Sequence, residues 1–473
     1  MRTGWMTKGR YGHLLWAAVL FVFVSYLGCS RFETRLSSVR PFIHYRVSVS
    51  DLDLEVLRVE GDVQGVVRKE TIFRPASNDE GGTIDPIGFK AEDLDGRALE
   101  VERSDEALKI KNDGKDFSFS YTVPVVVENR YSPDVRTMLT MIDTEHCRLV
   151  ARDLFLLCDT DLADGIIIDL DIPDDWVLAS SAISIRKRTV VEETGDFPLT
   201  TIVCGRMQSF DSSVDAVEVS MASIGKWRFE AERLFELVRR IASYEIDMFG
   251  GSPRAKFLVI VEPNPVKGGA GFDYYGIHLG GTMFLFLDPH MDGHMLFDAP
   301  MSVVAHELFH NWNGEALSPA SNSFLWFTEG ATVYYSYRVL EGTGIITPEQ
   351  YKARRNVIYN RFVDNRYHGK VPIREAQNND LGDKEMVNFF YDGGYLTCER
   401  LDAMIRSESK GRIKLIDVLR YLYNNRKPGQ RVDEGLLVDA IKKLSGLDVS
   451  LALQKMLDDP SAEFFSKAPS SLD

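Results

Sequence analysis

Near Gly225 the hydrophobic period of this chain changes, and that change limits the folds open to it. Before it, Ile43, Tyr45, Val47 and Val49 alternate with polar residues, as do Phe117, Phe119, Tyr121 and Val123. Ile166, Ile168, Leu170 and Ile172 repeat the pattern, and so do Val217, Val219 and Met221. Period two puts every second side chain on one sheet face, so these stretches predict half-buried strands, with "SNDEGG" and "IPDD" as turns between them. After Gly225, "KWRFEAERLFELVRRIASYEIDMFGG" spaces Phe229, Leu234, Leu237, Val238 and Ile241 as a helix face and ends on Gly250-Gly251. "KFLVIVEP" and "TMFLFLD" read as buried strands on either side of a glycine-rich loop, and "APMSVVAHELFHNWNGEAL" and "FLWFTEGATVYYSYRVL" as helices. Beyond about Gly344 only helical patterns follow. A length of 473 residues exceeds what one core normally serves. The expectation is an α+β multidomain chain: a β-sandwich-like domain over 30–224, a mixed domain over 225–344 and an α-helical domain over 345–473.

Residues 1–29 differ from all of this. Arg2, Lys8 and Arg10 precede the apolar run "LLWAAVLFVFVSYLG", and Cys29 follows it. This is the pattern of an export signal, with an apolar run shorter than the roughly 20 residues that span a bilayer. "YLGC" resembles a bacterial lipobox, which implies lipidation of Cys29 and a body facing the periplasm or the cell surface. Soluble secretion and an uncleaved anchor are the alternatives. A net charge of −15, from 55 basic and 70 acidic side chains, argues against a nucleic-acid-binding face. Cys147, Cys158, Cys204 and Cys398 form no C-x-x-C pair and read as buried, small apolar residues.

The chemistry-bearing stretch is "AHELFHNW". Residues four apart share a helix face, so His306 and His310 can aim imidazole nitrogens at one metal ion. Glu307 lies one position round, placed to act on a water beside that metal rather than to bind the metal. Glu329 follows in "LWFTEGATVYY", with 18 residues between it and His310. Two helices joined by a loop can bring it to the histidines, giving a His-His-Glu set for one Zn2+ per chain with a fourth position open. An open position distinguishes catalytic from structural zinc.

These residues resemble the gluzincin metallopeptidases, whose signature is H-E-x-x-H, eighteen residues, then E. The stretches "HELFHNWNGEALSP", "LWFTEGATVYYSY" and "FFYDGGYLTCERLDAMIRSESKGR" are most similar to the glycyl aminopeptidase family, and "IIIDLDIPDDWVLASS" and "IGFKAEDLDG" share that likeness. The resemblance implies a β-rich N-terminal domain, a thermolysin-like catalytic domain and hydrolysis of peptide bonds. It gives Glu307 the role of general base and Tyr391 that of oxyanion donor. It sets Gly269 and Asp273 of "GGAGFDYYG" against the substrate, Asp273 standing where the family carries a glutamate for the substrate amino terminus. "NGEALSP" departs from the basic residues usual there, and no stretch corresponding to the family's PDZ domain is expected. An endopeptidase on the same scaffold, or an inactive surface lipoprotein that binds peptides or proteins, fits the same residues. His290 and His294 in "HMDGH" are also four apart, but Pro289 and Gly293 argue for a loop. His278, near the glycine-rich loop, is a further candidate for the cleft wall.

Overall fold

A computed structural model describes residues 42–49, 56–66, 68–75, 86–104, 106–124, 140–158, 166–192, 197–264, 274–297, 299–377, 383–461 and 465. Gly269, Asp273, Cys29 and the whole leader lie outside the described residues. Among those described, no helix is long and apolar enough to cross a membrane.

The alternating stretches are strands. Phe42–Ser48 lies at the middle of a seven-stranded sheet, antiparallel to Val56–Gln64 and parallel to Ile166–Asp171. Two four-stranded sheets complete the N-terminal part. Inward rows from all three meet in one aromatic-rich core, where Tyr45 packs on Phe119, Phe155 and Phe197. The Tyr45 hydroxyl donates to the Leu156 carbonyl, which satisfies the one polar atom that this buried ring carries.

A five-stranded sheet follows, in the order Met207–Val214, Val217–Ile224, Lys256–Pro263, Thr282–Leu287, Tyr274–Leu279. Its three central strands run parallel, and Tyr274–Leu279 closes one edge antiparallel. Both faces of Lys256–Pro263 are covered. Phe257, Val259 and Val261 face the helices, while Leu258 and Ile260 face the N-terminal part together with Val150, Ala179 and Val203. Burial on two faces is why "KFLVIV" reads as an unbroken apolar run.

The sheet moves the first domain boundary. Residues 207–224 alternate like the strands before them, yet Val217–Ile224 pairs parallel with Lys256–Pro263 and belongs to the second sheet. Periodicity identifies a strand but not its partner, so an edge drawn at 224 cuts through a sheet. The boundary at 344 also cuts a continuous core, since one hydrophobic cluster runs from Val214 to Phe465.

The α-helices longer than four residues are α1 (Ala231–Phe249), α2 (Ala299–Phe309), α3 (Leu325–Gly342), α4 (Pro348–Val363), α5 (Lys384–Glu408), α6 (Leu415–Asn425), α7 (Glu434–Ser445) and α8 (Ser450–Asp458), among the described residues. Helix α1 ends as its sequence predicts, with Gly250 in the left-handed region at φ 72°. Helix α4 begins at a capping box, Thr347 accepting from Gln350 N while the Gln350 side chain accepts from Thr347 N.

Candidate metal centre

Helix α2 is apolar on most of its surface because it is enclosed, with Met301, Val304, Ala305, Leu308 and Phe309 all buried. His306 and His310 share its remaining face. The helix stops straight after them: Asn313 and Gly314 leave helical geometry, with φ/ψ of −101°/88° and 141°/−49°. A φ of 141° is open to glycine at little cost. A Cβ at Gly314 would also sit 3.1 Å from His310 Nδ1. The break turns the Asn313 carbonyl back to His310 Nδ1 at 2.9 Å. That hydrogen bond places the proton on Nδ1 and leaves Nε2 as the outward lone pair. The Asn313 side chain donates to the Thr328 carbonyl at 2.9 Å and to Thr332 Oγ1 at 3.1 Å, tying the break to the turn of α3 that carries Glu329.

The three candidate ligands converge. His306 Nε2 and His310 Nε2 are 3.1 Å apart, and Glu329 Oε2 lies 3.3 Å from the first and 3.6 Å from the second. Ligands bound at 2.0–2.1 Å around a tetrahedral zinc stand roughly 3.3–3.4 Å from one another, so these separations suit one zinc ion. Glu329 Oε2 is buried without a hydrogen-bond partner among the described residues, a cost that a metal bond removes. Burial would lower the His310 pKa, but the Glu329 carboxylate outweighs it and raises it to about 9. Against its own burial, Glu329 is held far below the usual carboxylate range by His310 and His306. The carboxylate thus holds positive charge at this point, and a dication would take the place of the Nε2 protons there.

Glu307 and Tyr391 flank this cluster. The Glu307 side chain lies against Gly276 of the edge strand, where a Cβ would meet Glu307 Cγ at 2.7 Å and Val303 Cγ1 at 2.5 Å. Gly276 lets the strand lie close along α2, with Glu307 between strand and histidines. Tyr391, on α5, stacks its ring 6.3 Å from that of His306, at 16°. Helix α5 approaches α3 at Gly330 and Gly394, where a Cβ on Gly330 would lie 2.3 Å from the Gly394 carbonyl carbon. These positions follow Glu329 by one residue and Tyr391 by three, so the two backbones touch beside the site. Asp392, next to Tyr391, is fully buried and takes a bidentate pair of hydrogen bonds from Arg361, both at 2.7 Å.

Asn313, Gly314, Gly330, Gly394, Asp392 and Arg361 are contributions the sequence reading did not assign. The "NWNG" and "YDGGY" glycines were the available signal, since glycine inside a helical pattern marks a break or a close approach. His278 lies beside the centre rather than in it. Its ring is 6.1 Å from that of His310, and its Nε2 is 2.9 Å from Glu315 Oε1. Glu315, the departure noted in "NGEALSP", also takes Gly280 N at 2.8 Å and Arg254 Nε at 2.9 Å. Burial opposes its ionisation, but His278 and Arg254 hold its pKa at about 2. It is an anchor from α2's end to the edge strand. His290 and His294 sit on an exposed loop whose Asp288 and Asp292 cap nearby backbone N–H groups. Among the described residues only His306, His310 and Glu329 form a metal-holding group.

Residues 256–456 match the peptidase family M1 domain. That stretch of likeness takes in His306, Glu307, His310, Glu329 and Tyr391. The sequence likeness pointed to the gluzincins through the glycyl aminopeptidases, and M1 is the gluzincin family whose domain matches. Leucine aminopeptidase 2 of Lodderomyces elongisporus is 28% identical over 192 residues, 40% of this chain and 26% of that protein. Leucine aminopeptidase 2-2 of Scheffersomyces stipitis is 43% identical over 53 residues, 11% of this chain and 8% of that protein. The chain thus spans about a quarter, or less, of the length of these curated relatives. Among solved structures, an aminopeptidase N family protein from Idiomarina loihiensis superposes with a TM-score of 0.71 at 18% identity, over 89% of this chain and 76% of that one. An M1 zinc metallopeptidase from Deinococcus radiodurans, solved with a Tyr-Ser-Ala substrate, superposes with a TM-score of 0.54 at 11% identity, covering 88% and 93%. The shared architecture extends into the N-terminal sheets, beyond residues 256–456.

Proposed function

We propose that this protein is a zinc-dependent aminopeptidase, and that His306, His310 and Glu329 hold its metal. The observation that carries the reading is the convergence of these three donors with Glu307 and Tyr391 at their rim. Cleavage at the amino terminus is favoured by the aminopeptidase descriptions of the relatives and of the Idiomarina structure. When bound, zinc supplies the Lewis acidity that makes water nucleophilic near neutral pH and polarises a carbonyl. The chain supplies the rest. Asn313 orients the His310 ring through Nδ1. Glu307 takes a proton from the attacking water and passes it to the departing amine. The Tyr391 hydroxyl donates to the substrate oxygen as negative charge develops on it.

The test compares peptides with free and acetylated amino termini, using wild type and Glu307→Gln at matched zinc content, with and without chelator. Hydrolysis of the free peptides alone, abolished by chelator and by Glu307→Gln, is the expected result. Equal cleavage of blocked peptides would make the protein an endopeptidase. No hydrolysis across a broad peptide set would make it a binding protein on a peptidase scaffold.

Export and a lipid anchor at Cys29 belong to the same proposal, supported by the basic start, the short apolar run and Gly28-Cys29. The diacylglyceryl group of a bacterial lipoprotein supplies two chains, enough for stable attachment where one is marginal. Cys29→Ser should release the protein from membranes or leave it unprocessed, and unchanged fractionation would reject lipidation.

A further inference from the structure

By sequence the four cysteines are small apolar residues without a C-x-x-C pair, yet two of them meet in the fold. Cys147 on strand His146–Val150 and Cys204 on strand Thr201–Gly205 are direct antiparallel partners. Directly opposed residues have Cα atoms about 4.5–5.5 Å apart, inside the roughly 4.4–6.8 Å window of disulfides. Their Sγ atoms are 2.9 Å apart, and both residues are fully buried. We propose that Cys147 and Cys204 are a cross-strand disulfide site in the N-terminal domain. A bond of about 2.05 Å needs the sulfurs to close by under 1 Å, which small side-chain rotations supply without moving the strands. The hydrogen bond with the Cys204 thiol, and then burial, raise the Cys147 pKa well above the ordinary 9.0, so the native pair is unreactive as thiols.

The bond therefore forms while the strand pair is open to solvent. A Cys thiolate attacks one sulfur of a small-molecule disulfide, of the oxidised-glutathione class, and releases one thiolate of that oxidant. The second Cys thiolate then displaces the second, so two protons and two electrons leave the cysteines and the oxidant ends as two thiols. The location gives the bond a consequence. His146 and Arg148, on either side of Cys147, face the other way, and Arg148 pairs with Glu262 on the five-stranded sheet. The disulfide would lock the strand through which the N-terminal part docks on the catalytic part. It would also close a chain segment with |i−j| of 57.

The experiment uses the full exported chain, refolded in oxidised and reduced glutathione, denatured, alkylated and digested with trypsin. The expected product joins peptides 137–148 and 189–206 at a mass two hydrogens below their sum, and dithiothreitol separates it. Cys158 and Cys398 should remain alkylated, as internal controls. Recovery of both peptides fully alkylated after the oxidising refold overturns the site, as does linkage of Cys147 to Cys158 instead. A second readout does not depend on the yield of refolding. Reductant should lower the urea midpoint of the oxidised wild type and leave that of Cys147→Ala unmoved. Equal shifts in the two proteins would show that no bond at this site stabilises the fold.

Discussion

Replacing Gly394 by alanine tests whether the contact between α3 and α5 sets the geometry of the metal centre. A Cβ there would lie 2.2 Å from the Trp326 carbonyl oxygen and 2.9 Å from Gly330 Cα, backbone atoms that no rotamer can move away. Restoring the 3.4 Å of ordinary contact requires the helices to part by about 1.2 Å. Overpacking of this kind costs about 1–3 kcal/mol, against a helix-propensity gain of about 1 kcal/mol for alanine over glycine. A net loss of up to about 2 kcal/mol is expected. The larger effect is on turnover. Tyr391 lies one turn before Gly394 and Glu329 just before Gly330, so parting the helices withdraws the hydroxyl from the ligands. A misplacement of about 1 Å can cost about 100-fold in rate. The assay is kcat on a free-amino peptide, with zinc content and the urea midpoint measured on the same preparation. Reduced kcat with retained zinc supports the reasoning. Wild-type turnover together with a stability loss of over 1 kcal/mol would refute it, because the helices would have parted without moving the chemistry.

Four other outcomes follow from the same geometry. His310→Ala should reduce bound zinc from one equivalent to a small fraction by metal analysis, because only two ligands remain. Tyr391→Phe should lower kcat by about 100-fold, the scale of one lost oxyanion donor, with KM little changed. Arg148→Ala leaves Glu262 buried without its partner between the two parts of the chain; denaturation should show a loss of roughly 3–5 kcal/mol. Glu245, on α1, is fully buried, and neither carboxylate oxygen has a hydrogen-bond partner among the described residues. Burial raises its pKa well above the ordinary 4.5, so the folded state holds a proton that the unfolded chain releases. Stability should fall as pH rises above about 4.5 toward the folded pKa, and Glu245→Gln should remove that slope and stabilise at neutral pH; an unaltered pH profile of the unfolding midpoint would contradict this.

What the chain determines by itself is whatever depends on near neighbours. His306 and His310 share a helix face because 3.6 residues make a turn, and the alternation of Tyr45, Val47, Phe117 and Phe119 assigns strands because successive side chains point to opposite faces. Glu329 was legible from its spacing once the histidine pair was recognised, and Tyr391 only through likeness to a family, since 81 positions separate it from His310. Contacts over such distances are set by how helices and sheets stack. The placement of strand Val217–Ile224 in the second sheet, the meeting of Cys147 with Cys204 and the touching backbones at Gly330 and Gly394 all arise between segments far apart in sequence. Hydrophobic patterning says that such faces must be covered, but it is non-directional and leaves the covering partner open. Register, crossing geometry and close packing choose the partner, and only the folded chain contains them.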